Sequence, residues 1–296
     1  MSPPGESAGE AGLRGFLVRL AERLPRTYAV GRRVLGNAIR DGYIHAGNIA
    51  YLSLVTLLPL VILITAVTVA VGQTDVGQAV IAGMLGALPA DVAMLFQPVI
   101  AEVLVARTGN LLWFGAFVAL WTVSSFIETL RDIIHRAFEV PLERHFMAYR
   151  LHSIGATLIA MLLLVIAFVA QLVMVLILKA VTPIMPEQLH LRDWIDWSRA
   201  ITPVVIFLAL WALFRTLAPR GYRHSPCWPG ALITTLAWIG GTLLLGPAIS
   251  GLNHLGLTYG ALSGVVVALL FFYAVGFALV LGAELNAALA IHDAPS

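Results

Sequence analysis

The chain is 296 residues long; 59% of them are hydrophobic and only 11% are Asp, Glu, Lys or Arg, against roughly 25% charged residues in soluble domains. Its 16 acids and 18 bases leave a formal charge of +2, too small to point to nucleic acid as a partner. These numbers exclude a disordered chain and a soluble multidomain enzyme, and the single cysteine, Cys227, excludes an internal disulfide.

Residues 1–47 read as a cytoplasmic arm. Within it, residues 13–24 put Leu13, Phe16, Leu17, Leu20 and Leu24 on one helical face and Arg14, Arg19 and Arg23 mostly elsewhere, before Pro25 stops the run. The pattern predicts an interfacial helix on the inner leaflet, where anionic lipid attracts each base by about 1 kcal/mol. The arm holds no apolar core of the kind a cleaved signal has, so the first crossing is expected to direct insertion and the N-terminus to be kept.

A spanning helix needs about 20 apolar residues. Uncharged runs at 42–74, 108–127, 151–178, 200–214 and 224–283 supply spans near 49–71, 109–128, 153–178, 200–218, 229–251 and 261–284. The predicted fold is therefore all-α, a polytopic six-helix transmembrane bundle over 48–290 with short outer-loop helices and a tail at 291–296. The first span carries Asn48, Tyr51 and, mid-span, Pro59. A proline there frees the carbonyl of Val55 and kinks the helix, a feature of cavity-lining helices in transporters and equally of passive bundles. Between spans one and two, Pro89 and Asp91 start a helical stretch, Val92 to Val105, too short to cross; it is expected to be a surface or re-entrant helix packed on the outer mouth, with Glu102 facing water.

From Glu128 to Arg144 the charges recur at helical spacing. Glu128 with Arg131 and Asp132, Asp132 with Arg136, and His135 with Glu139 can neutralise one another as span two leaves the membrane; an arginine cluster for anionic headgroups is the sharper alternative. Span three carries Gln171. Span five has Gly240, Gly241, Gly246 and Pro247, a packing face or a hinge. Span six opens with a small-xxx-small pair, Gly260 and Gly264, suited to close helix approach, and closes on Glu284 and Asn286. Glu284 is expected near the cytoplasmic interface, paired with Arg215 or Arg131 or capping a helix, with proton coupling or substrate contact as the alternative.

Orientation follows from the bases. Arg14, Arg19, Arg23, Arg26, Arg32, Arg33 and Arg40 precede span one; Arg131, Arg136, Arg144 and Arg150 separate spans two and three; Arg215, Arg220 and Arg223 end span four. The other side has only Arg107, Lys179, Arg192 and Arg199. The positive-inside rule puts both termini in the cytoplasm of a cell whose plasma membrane holds the chain.

Enzymatic constellations are poor. His190, Asp193 and Asp196 are spaced for a metal but sit beside Trp194 and Trp197, which read as interface anchors. The sequence has no HExxH, no paired cysteines, no phosphate-cradling glycine loop and no nucleophile elbow. No catalytic, cofactor or metal residue is expected, and the expected partners are membrane lipids, with anionic headgroups at the cytoplasmic face.

Over about residues 30–290 the chain resembles the YihY/BrkB family of bacterial inner-membrane proteins. The matching strings are Ala50-Tyr51-Leu52-Ser53-Leu54 leading to Pro59, Arg136-Ala137-Phe138 with Glu139, Pro229-Gly230-Ala231, Tyr259-Gly260, and Gly282-Ala283-Glu284-Leu285-Asn286. The resemblance implies a six-helix inner-membrane bundle. It brings labels such as virulence factor and envelope-integrity protein, a part in moving lipids or solutes proposed for some members, and an older ribonuclease BN label. RNA cleavage needs a metal cluster or an acid–base pair and a basic strand-binding surface, which these residues do not supply. The leading expectation is a transporter or lipid translocator that contributes to envelope integrity, with a non-catalytic scaffold as the alternative. The residues expected to line a path or fasten helices are Asn48, Tyr51, Pro59, Arg131, Gln171, Gly230, Gly260, Glu284 and Asn286.

Overall fold

The computed structural model describes residues 25–70, 74–105, 110–141, 150–151, 153–155, 157–159, 191–222, 224–251 and 263–292, and no strand occurs among them. The interfacial helix expected at 13–24, Gln171, Gly260 and most of the third span lie outside the described residues.

Helix α1, Pro25–Asn37, runs through a π-helical turn, Ala38–Gly42, into α2, Tyr43–Ala70, without a break. Residues 25–42 are thus helical and continuous with the first span. Within α2 the helix continues past Pro59, and one turn earlier the Thr56 hydroxyl donates to Leu52 O at 2.6 Å.

Helices α3, Thr74–Gly86, and α4, Ala90–Val105, form a hairpin. Val80, Ile81, Val92, Phe96 and Ile100 are buried against Leu57, Val61 and Ile64 of α2, so of the two expected arrangements the hairpin takes the one packed into the core. The side chain of Glu102 falls outside the described ones. Helix α5, Asn110–Ala137, carries the Glu128–Arg136 charges on its own last three turns, extending nine residues past the expected span end at 128. Helix α6, Leu191–Leu217, is apolar over Thr202–Leu217. Helix α7, Trp228–Gly251, continues through Gly246 and Pro247, and α8, Ser263–His292, is apolar all round.

An all-round apolar helix must be buried or lie in lipid. Helix α8 sits centrally, packed on α7, α2, α1, α4 and α5. Small residues permit this: Ala268, Ala283 and Ala287 are fully buried, and a Cβ on Gly276 would come 3.1 Å from Ala46 O and Ile49 of α2. One apolar cluster joins α8 to the hairpin and the far half of α2, with Phe271 edge-on to Trp238 at 5.6 Å. A second, at the α1 end, joins Ile49, Ile134, Phe214, Ala231 and Leu279. Large apolar side chains such as Phe114, Phe117, Trp121, Leu236 and Leu243 point outward, as they do where hydrocarbon is the solvent. By length and composition four described helical segments can cross a membrane: Tyr28–Ala66, Trp113–Ala137, Trp228–Leu245 and Gly264–His292.

Candidate functional site

Two of the strings singled out in the sequence meet face to face where α7 begins. The first N–H groups of a helix lack intrahelical partners. Here Gly230 N–H donates to Asn286 Oδ1 at 2.9 Å, and Asn286 Nδ2 donates to Cys227 O at 3.2 Å. Asn286 is therefore a cap supplied by α8 to α7, buried to 1% exposure. The helices touch backbone to backbone: a Cβ on Gly282 would fall 2.7 Å from Gly230 O. Thr234 Oγ1 donates to Gly230 O at 2.9 Å and reaches Ala278 O at 3.3 Å. Gly230 and Asn286 thus fasten helices, the structural role weighed for these polar sites. Cys227, beside them, is buried, and desolvation pushes its thiol up despite the opposing charge of Arg215.

Glu284, two residues before Asn286 and so on the opposite side of α8, faces the other way. Its Oε2 accepts a hydrogen bond from Asn37 Nδ2 at 2.8 Å. The expected partners are engaged elsewhere: Arg215 lies over the Trp211 ring at 5.5 Å, and buried Arg131 donates to Ser153 Oγ at 3.3 Å. Asn37 is not legible as its partner in the sequence, because the packing of α1 along α8 brings together residues 247 positions apart. Glu284, Asn37, Arg40, Asp41, His45, Arg136 and Glu139 line a cavity of about 370 Å³ whose apolar floor includes Ile133 and Val280. The π-helical turn forms one wall, and the C-terminal end of α5 forms another. Pro59 is not among the residues lining this cavity, so the proline and the carboxylate do not share a chamber.

The cavity rim is built of ion pairs. Arg33 Nη2 meets Glu139 Oε1 at 2.8 Å, Arg40 Nε meets Asp41 Oδ2 at 3.4 Å, and Arg136 Nε meets Asp132 Oδ2 at 2.9 Å. The last is the expected i, i+4 pair; Glu139 pairs with α1 rather than with His135. Glu139 holds φ 58° at the end of α5, where its N–H donates to Arg136 O at 2.9 Å and Val140 N–H to His135 O at 3.1 Å. This is a helix-ending motif in which glycine is the usual residue.

A separate buried network ties α5 to the helical residues between 150 and 159. Arg150 Nη1 donates to Glu128 Oε2 at 2.7 Å, Nη2 reaches Trp121 O and Ser125 Oγ at 3.1 Å each, and the guanidinium stacks 3.7 Å over the Trp121 ring. Its partner is not evident in the sequence because Glu128 and Arg150 are 22 residues apart and meet only through tertiary packing of Arg150 against α5. Asn48 and Tyr51, by contrast, are exposed on the outer face of α2, and the Asn48 side chain has no hydrogen-bond partner among the described residues. No group of three or more His, Cys, Asp or Glu able to hold a metal ion occurs among the described residues.

Residues 40–295 match the model of the family described as virulence factor BrkB. The chain is also similar to a protein of Bacillus subtilis (strain 168) described as the ribonuclease-like protein YfkH. The two are 26% identical over 257 residues, covering 85% of this chain and 91% of the relative. No solved structure matches.

Proposed function

The chain belongs to the BrkB virulence factor family, and from this we propose that it is a membrane protein that moves a lipid or small solute across the bacterial plasma membrane. The observation that carries the reading is the cavity at the α1–α5–α8 junction. There a half-buried carboxylate, Glu284, is held by an uncharged amide and faces an open space rimmed by ionic side chains. Membrane proteins place ionisable groups next to apolar helices at a cost, and such groups are functional suspects by default. Arginine placement supports a cytoplasmic location for this end of the bundle and for both termini. In this scheme lipids at the inner leaflet are the partners, and the contribution to envelope integrity follows from their movement.

Liposomes loaded with a panel of labelled lipids and solutes test the reading. The wild-type chain should raise flux of at least one of them, and Glu284→Gln should lose it while eluting and melting like the wild type. Absence of flux for every probe leaves the scaffold reading, which the Gly230–Asn286 lock favours. We further propose that the chain is not a nuclease: "ribonuclease-like" describes the Bacillus relative. Purified protein should leave RNA intact in Mg²⁺, Mn²⁺ or Zn²⁺; cleavage that is lost in a site variant overturns this.

A further inference from the structure

We infer that the α1–α5–α8 cavity binds a headgroup carrying a phosphate beside a primary ammonium, with Glu284 as counter-ion to the ammonium and Arg40 and Arg136 as donors to the phosphate. The assignment rests on the translocator reading of the same cavity and names its substrate class.

The argument starts from the charges. Arg33, Arg40 and Arg136 each hold a carboxylate, Glu139, Asp41 and Asp132 respectively. Glu284 has no ion pair among the described residues and takes its hydrogen bond from neutral Asn37, although Arg33 and Arg40 lie near enough to act on it electrostatically. The set therefore carries one carboxylate in excess, which matches one cationic group on a ligand. A primary ammonium suits it because it donates several hydrogen bonds from a compact charge.

The arginines supply the second half. Arg40 and Arg136 bind their carboxylates through Nε, leaving the terminal NH₂ groups of both without a hydrogen bond among the described residues. Both guanidiniums are largely exposed at the rim, and the forked donors fit phosphate oxygens. Ile44, Ile133 and Val280 give the cavity an apolar side for the glycerol end of a lipid. A phosphate alone would leave Glu284 facing an anion, so the same geometry selects against headgroups that lack the amine.

Binding is measured on the full chain in detergent, by tryptophan fluorescence or native mass spectrometry. The probes are short-chain phosphatidylethanolamine, short-chain phosphatidylglycerol and free O-phosphoethanolamine. The wild type should prefer the ethanolamine lipid over the glycerol lipid by about tenfold, the scale of one charge-assisted contact. Free O-phosphoethanolamine that competes as well as the lipid identifies a soluble zwitterion as the source; failure to compete identifies the membrane lipid. Glu284→Gln should abolish the preference, and Arg136→Gln should weaken both lipids alike. Equal binding of the two lipids by the wild type overturns the inference without any variant, as does a preference that survives in Glu284→Gln. Ethanolamine-selective binding without flux keeps the inference and removes translocation; flux without that selectivity does the reverse.

Discussion

Gly230, Gly282 and Asn286 each do something that no other side chain can do in place. Adding a methyl to Gly282 drives it into the Gly230 backbone, so Gly282→Ala should destabilise the protein by about 1–3 kcal/mol. Gly240, which has nothing within 4 Å of its missing Cβ, is the control and should tolerate alanine. Asn286→Leu strands the Gly230 N–H in a dry contact, leaves the Cys227 carbonyl only its 3.3 Å bond from Ala231 N–H, and should cost about 1–3 kcal/mol. Thermal unfolding in detergent reads all three, and an unchanged midpoint for Asn286→Leu would remove the capping role. Cys227 offers a pH-dependent probe of the same region. Burial raises its thiol, so the reactive thiolate stays scarce at neutral pH. Maleimide labelling of the folded protein should be slow, accelerate only at alkaline pH, and become fast on unfolding.

Helices in this bundle are held by a few polar contacts of unequal worth. The Arg150–Glu128 pair is nearly dry, and removing one partner leaves the other charge buried; Arg150→Ala should cost about 3–5 kcal/mol. The Arg33–Glu139 contact is open to water on the glutamate side, so Arg33→Ala should cost no more than about 1 kcal/mol. Denaturation in matched detergent compares the two, and equal losses would contradict the difference in burial. Beside its apolar packing, the α3–α4 hairpin takes a polar contact from α7, Trp238 Nε1 donating to Ala87 O at 2.8 Å; Trp238→Phe should speed amide exchange across 74–105 and leave α8 protected. These elements also mark what the sequence could and could not disclose. Apolar runs identified α2, α5, α7 and α8 because hydrophobicity over some twenty residues is a local signal. They misassigned the partner of Glu284, because contact between α1 and α8 is a matter of packing that spacing along one helix does not encode. The Asp132–Arg136 pair, being local, was legible; Glu128–Arg150, brought together by chain reversal, was not.

At the scale of the whole molecule the arginine asymmetry and the described helices make a topological forecast. A reporter fused after Ser296 should be active only in the cytoplasm, and activity outside the cell would invert the scheme and place the Glu284 cavity on the wrong side for an inner-leaflet ligand. The Ala38–Gly42 turn has a larger consequence. A π-helical turn accommodates roughly one residue more than an α-helical path needs, and each α-helical residue advances the chain by about 100°. Deleting a single residue between 38 and 42 would let the rod relax to uniform winding with α1 kept nearly in phase with α2, whereas inserting a further residue, which the turn does not absorb again, would swing α1 by about that angle relative to α2. Arg33 and Asn37 would then point away from Glu139 and Glu284 together, unhooking both latches without altering any side chain that forms them.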